Sequence, residues 1–349
     1  MTIERFGMRL VAMVGVVALT ALTAGVASAA TDEPTTLRAA MSVDVGGVQD
    51  PHAYTGSLIL LDMIFEPLVS YGEGGAIEPG LAESWEVSDD GLRVTFRLRE
   101  GVTFHDGTPF DAEAVKWNFD RWVGSEDHSF IQTSQVITEV NALDDATVEL
   151  VLSEPYPPLL QELTIVRPVR LLSPASVGPD GAFAQAVGTG PWMLESVSQT
   201  GAAVVRYDGY WGDLPTIDRV EFQVIPDSQT RVSALRAGEV DLIGGNYLAP
   251  ITPVEGQALQ SGDVQLLVGE PDTAVVLAFN ADGQLADRAV RQAVGQAVDR
   301  DALNAALYAD FGQTVDTFFP PSIPDSGDPM DISFDPDAAR RTLDEAGWV

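Results

Sequence analysis

The groups in this sequence that could do chemistry are few: three histidines, one arginine before a proline, a Gly-Thr-Gly turn and many carboxylates. His52, His105 and His128 are far apart in the chain. A metal centre built only from protein wants several N, O or S ligands at short, regular spacing, and these three do not supply it. His105-Asp106-Gly107 reads as a turn, and His128 is a candidate ligand contact. Gly188-Thr189-Gly190 lacks the lysine and helix start of a phosphate loop and reads instead as a tight backbone passage. Arg167 precedes Pro168 between two apolar runs. Its guanidinium stays charged and offers a planar fork that fits a carboxylate with two parallel hydrogen bonds. That carboxylate could belong to a ligand or to one of the chain's own 52 acids. No nucleophile–His–Asp spacing and no paired-carboxylate motif stands out, so the residues do not point to an enzyme.

The composition narrows the setting. With 349 residues the chain is long enough for about two domains. Asp and Glu number 52 against 19 Lys and Arg, a net charge of −33. A phosphate backbone or an anionic membrane surface is bound by a basic face, which this chain can hardly assemble. Lys116 is the sole lysine. There is no cysteine, which removes disulfides, thiolate chemistry and a lipid-anchoring signal. Arg5 and Arg9, an uncharged apolar run over residues 10–26 and Ala27-Ser28-Ala29 form an export signal over residues 1–29. The apolar run is short for a membrane span. The expectation is a soluble, non-lipidated, exported protein.

Strands and helices must position these groups, and both kinds of periodicity recur along the chain. Residues 37–41, 93–99, 147–152, 192–197, 203–207, 219–225, 240–243 and 274–279 read as strands, with 93–99 alternating strictly. Helices are expected over 57–69, 112–122 (Asp111 as N-cap), 157–164, 228–236 (Asp227 as N-cap, Gly238 as stop), 287–298, 301–307 and 336–346. Trp85, Trp192 and Trp211 read as core. The order is α/β but not a regular βαβ repeat.

Several segments together resemble the extracytoplasmic solute-binding proteins of ABC importers, in the oligopeptide, dipeptide and nickel family, family 5. They are residues 81–120 (LAESWEV…DGLRVTFRLREGVTFHDGTPF), Glu66-Pro67-Leu68, Val187 to Trp192 (VGTGPW), Tyr210-Trp211-Gly212, Gly238-Glu239-Val240-Asp241, Phe279-Asn280, residues 290–294 and residues 339–348. Within the family, residues 50–55 (DPHAYT), 155–174 and 308–324 are similar to the periplasmic nickel-binding branch. The resemblance implies a two-lobed α/β fold of the periplasmic-binding-protein type II (class C) kind with mixed sheets. Lobe I with its inserted subdomain would span residues 30–270 and the start of lobe II residues 271–349, with the second lobe incomplete. It further implies a monomer, not embedded in the membrane, that hands a small ligand to a permease and its ATPase. A nickel chelate is favoured as cargo, with no resident cofactor or protein-only metal site. A di- or oligopeptide is the alternative and an exported two-lobed hydrolase the remote one. Carried over by position, Arg167 would grip a carboxylate of the chelate. Tyr54 and Phe130 would line the cleft, and Leu58 or Ile59 would stand where the branch has a methionine. Asp127 stands where the branch has an arginine, a two-unit change of local charge.

Overall fold

The strict alternation of residues 93–99 does form a strand, and its apolar side builds the largest core cluster among the described residues. A computed structural model describes residues 34–348 except 44, 46, 54–55, 246–247, 261–262, 270–274, 320–326 and 331–332. The export signal expected at residues 1–29 and the site residue Tyr54 lie outside the described residues. Strands β4 (Ala82–Val87), β5 (Arg93–Leu98), β6 (Ile137–Asp144) and β7 (Thr147–Leu152) make one antiparallel sheet in the order β4-β5-β7-β6. Val94, Phe96 and Leu98 point inward from β5, while Arg93 and Arg97 face water. Helix α2 (Ala112–Asp120) packs on this sheet and starts where Asp111 accepts a hydrogen bond from the Ala114 amide. Its Phe119, with Trp122 just beyond it, fills the core against Phe96 and Leu150.

The second sheet carries the order β1-β10-β9-β8, from β1 (Thr36–Met41), β8 (Trp192–Ser198), β9 (Gly201–Arg206) and β10 (Arg219–Val224). The β1–β10 pair is parallel and the others are antiparallel, so both kinds of pairing share one sheet. Helix α1 (Leu58–Ile64) lays Leu60, Leu61 and Ile64 onto Met41, Val204 and Phe222. A hairpin of β2 (Val69–Tyr71) and β3 (Ile77–Pro79) joins α1 to the first sheet.

Helix α1 is shorter than the expected 57–69. Pro67 has no amide hydrogen, and the residue before a proline is pushed out of the α region. Phe65 is accordingly extended, and Glu66 leaves the helix to form a lone bridge with Leu171. Short helices α3 (Gln132–Val136) and α4 (Leu159–Glu162) follow on the first core. Beyond β10, α5 (Ser228–Ala237) is capped by Asp227 and ended by Gly238 in the left-handed region, as the sequence indicated. Helices α6 (Pro253–Leu259), α7 (Arg288–Ala297), α8 (Arg300–Tyr308) and α9 (Pro336–Glu345) complete the described elements, with α7 packed on α9 through Val290, Ala293 and Ala339.

Two expected strands are not formed. Residues 240–243 lie against β1 with a single bridge, Leu242 to Ala39, and hydrogen bonds between Asp241 and Arg38, because Gly238 precedes and Gly244 follows with positive φ, leaving no run long enough for a ladder. Residues 275–279 have no strand partner among the described residues, and Val275, Val276 and Leu277 are exposed.

Candidate functional site

A cavity of about 640 Å³ opens beside α1, β2 and the segment that follows α4. Leu58 and Asp62, four residues apart on α1, line it together with Arg167 and Arg170 from the segment after α4. The Arg167–Pro168 peptide bond is cis. Arg170 is buried, at 6% exposure. Its Nη1 donates to the carbonyls of Thr164 and Ile165, both at 3.1 Å, and its Nη2 donates to Asp62 Oδ1 at 2.5 Å. The segment is pinned further along. The Leu171 amide donates to Glu66 O at 3.0 Å, and Leu172 exchanges two hydrogen bonds with the side chain of Asn118.

Arg167 and Leu58 therefore share one cavity. Ile59 instead packs against the core of the second sheet. His128 is buried, and its Nε2 lies 2.8 Å from His52 O. Phe130 is 61% exposed, with its ring centroid 6.5 Å from that of His128. Neither residue is part of the cavity lining.

The sequence reading gave His52 no role, yet the structure makes it the link between these parts. Arg121 Nε lies 3.0 Å from His52 Nδ1. Because a guanidinium can only donate, Nδ1 holds the lone pair, and the ring proton on Nε2 goes to Arg170 O at 3.1 Å. Burial first, and the Arg121 charge second, push the imidazole down to about 3, so His52 is neutral at ordinary pH. Asp50 fixes the turn by accepting the His52 amide at 2.9 Å. One neutral ring thus ties residues 50–53 and α2 to the backbone beneath Arg170.

The motifs that carried the family resemblance meet elsewhere, around Glu66. Its carboxylate accepts from Thr189 Oγ1 at 2.8 Å, Tyr210 OH at 2.9 Å and Trp211 Nε1 at 2.9 Å. Burial pushes Glu66 up, opposed by those three hydrogen bonds. Tyr210 is raised in turn by its own burial and by the Glu66 charge. Gly188 and Gly190 sit directly against α1: a Cβ at Gly188 would collide with Ile64 O, and one at Gly190 would stand 2.5 Å from Met63 O. The Gly-Thr-Gly turn is a close backbone passage, as read from sequence. His105 closes it, accepting the Gly188 amide on Nδ1 and donating Nε2–H to Gly190 O at 2.8 Å. These residues build scaffold and do not line the cavity. Among the described residues no group of three or more His, Cys, Asp or Glu is arranged to hold a metal ion, and no helix is long and apolar enough to cross a membrane.

The sequence model for bacterial extracellular solute-binding proteins, family 5 Middle, matches residues 76–349. The chain belongs to that family. It is 37% identical over 332 residues to the nickel-binding periplasmic protein of Escherichia coli K12, covering 92% of this chain and 62% of that protein. An ABC transporter substrate-binding protein from Sinorhizobium meliloti superposes with a TM-score of 0.81 at 42% identity, over 90% of this chain and 65% of that one. NikA from Brucella suis, solved in complex with Fe(III)-EDTA, superposes with a TM-score of 0.84 at 37% identity, over 90% and 64% of the two chains. The α/β fold with mixed sheets expected from the resemblance is the fold of these two-lobed binding proteins. The chain spans about two thirds of the length of each relative or less.

Proposed function

We propose that this family 5 protein is the solute-binding component of an ABC importer and takes nickel up as a small carboxylate-bearing chelate. The cargo would be captured outside the cytoplasmic membrane and handed to a permease driven by its ATPase. The observation that carries this reading is the cavity lined by two arginines, Arg167 and Arg170, together with the apolar Leu58 and Ile165. A chelate presents carboxylate oxygens to guanidinium forks and its carbon skeleton to an apolar wall. The similarity to proteins named for nickel binding and solved with a metal chelate supports it. The metal is cargo, held by its chelator, and the protein performs no chemistry on it. In this reading residues 1–29 are removed on export and the mature chain is a non-lipidated monomer.

The test is titration of the full mature chain, followed by tryptophan fluorescence and calorimetry. The probes are Fe(III)-EDTA, Ni(II) with L-histidine, Ni(II) alone and an unmodified dipeptide. Saturable binding of a chelate, with Ni(II) alone silent, is expected. Arg167→Ala should weaken chelate binding by about 1.5–3 kcal/mol, the worth of a charge-assisted hydrogen bond. Saturation by the dipeptide with both chelates silent would replace this reading with peptide uptake.

A further inference from the structure

The partners of Arg170 do not use all that its guanidinium offers. Arg170 is held rigidly, buried and anchored by two backbone carbonyls. Its carboxylate partner among the described residues, Asp62, touches it through a single oxygen. The Nε–H, on the edge of the fork shared with Nη2, is buried and has no acceptor. A carboxylate that used this edge fully would take both hydrogens. Burying a donor without a partner is costly, and because Nε shares this edge of the fork with Nη2, an acceptor that took the place of Asp62 on Nη2 would complete it.

The two charges of the pair also differ in mobility. The Arg170 side chain is 8% exposed, whereas that of Asp62 is 48% exposed. If Asp62 lets go, its carboxylate rehydrates where it stands, but Arg170 cannot follow it into water. A fixed buried cation opposite a half-exposed anion is an arrangement in which the anion can be exchanged.

We propose that Asp62 is a displaceable internal counter-ion, and that a ligand carboxylate enters by replacing it on Arg170 through Nε and Nη2. This deepens the reading of the cavity as the ligand site and rests on it. While the cavity is empty, Asp62 neutralises Arg170; when a ligand arrives, Asp62 competes with it. The pair therefore sets specificity. Ligands whose carboxylate can span the Nε–Nη2 edge gain the unmade bond, while neutral or purely cationic species gain nothing and leave Asp62 in place. Asp62 also tunes affinity, since any anion must outbid it.

The experiment compares the full mature chain with Asp62→Asn, Arg170→Gln and the double variant, each titrated with citrate, Fe(III)-EDTA and glycinamide. Asp62 is half exposed, so its amide variant should fold, and a melting curve checks this. Asp62→Asn should bind citrate at least about tenfold more tightly than the parent, glycinamide should bind to neither, and the double variant should lose the gain. Equal or weaker citrate binding by folded Asp62→Asn overturns the proposal, as does a gain that survives in the double variant. If Asp62→Asn gains for citrate but no metal chelate binds any variant, the counter-ion role stands and the chelate reading falls. If Fe(III)-EDTA binds the parent and Asp62→Asn gains for no carboxylate, the chelate reading stands and the counter-ion role falls.

Discussion

Glu66 and Arg170 are two charges on either side of one backbone hydrogen bond, that of the Leu171 amide to Glu66 O, yet their surroundings are opposite. Glu66 faces three donors, and every one of them reaches its carboxylate. Arg170 keeps a buried donor unmatched and leans on a counter-ion that is half in water. A polar group that is fully satisfied rigidifies a fold; one left partly satisfied at a cavity is ready to bind. The contrast separates the scaffold node from the proposed ligand site.

The largest expected effect concerns the cavity side, through His52. An imidazole in the unfolded chain titrates near 6.5, and in the fold it is pushed down to about 3. The stability owed to neutral His52 is therefore complete above pH 6.5 and is lost as pH falls toward 3, up to about 5 kcal/mol. Urea unfolding of the parent and of His52→Gln across this range should give curves that converge at the acid end. Parallel curves would show that His52 is not the group being charged.

Next comes the node itself. Glu66→Ala strands the Tyr210, Trp211 and Thr189 donors and should cost about 3 kcal/mol by denaturant unfolding. Glu66→Gln should stay within about 1 kcal/mol of the parent, because Tyr210 OH can turn to accept the amide while the remaining oxygen serves the other two. A Gln variant as damaging as Ala would mean that the charge, and not the acceptor pattern, holds the node. On stability the counter-ion should matter less: Asp62→Asn keeps an acceptor oxygen and should cost about 1 kcal/mol or less. Salt should separate the two places last. At about 1 M NaCl screening reaches a half-exposed pair but not an enclosed node, so the small Asp62→Asn penalty should shrink by a few tenths of a kcal/mol and the Glu66→Ala penalty should not change.

Local physics made much of the fold legible. Asp111 and Asp227 each accept the amide hydrogen bond expected of an N-cap. The alternation of 93–99 and the stop at Gly238 came from the same kind of local rule. What escaped depended on partners distant in the chain. Strand β6 has two register shifts and β4 has one, so their inward residues lose the period of two that would reveal them. Conversely, 275–279 has strand composition but no ladder among the described residues. In the candidate site, Arg167 stood out beside its proline and through the resemblance. Arg170, three residues on, has the same apolar neighbours, and only its contact with Asp62, 108 residues away, sets it apart. His52 was equally silent, because its role is fixed by Arg121 and by the Arg170 carbonyl and not by its neighbours in sequence.

The glycines pressed against α1 have a kinetic consequence. Backbone meets backbone there, with no side chain between the Met63 and Ile64 carbonyls and the turn at Gly188 and Gly190. A contact of that kind has no rotamers to adjust. The helix that presents Leu58 and Asp62 is thus set in place before any ligand arrives. Capture of the proposed cargo on this side of the cavity would need no rearrangement of main chain and would lose little conformational entropy. The arrival rate should follow diffusion and charge, and differences among cargoes should show in how long each one stays.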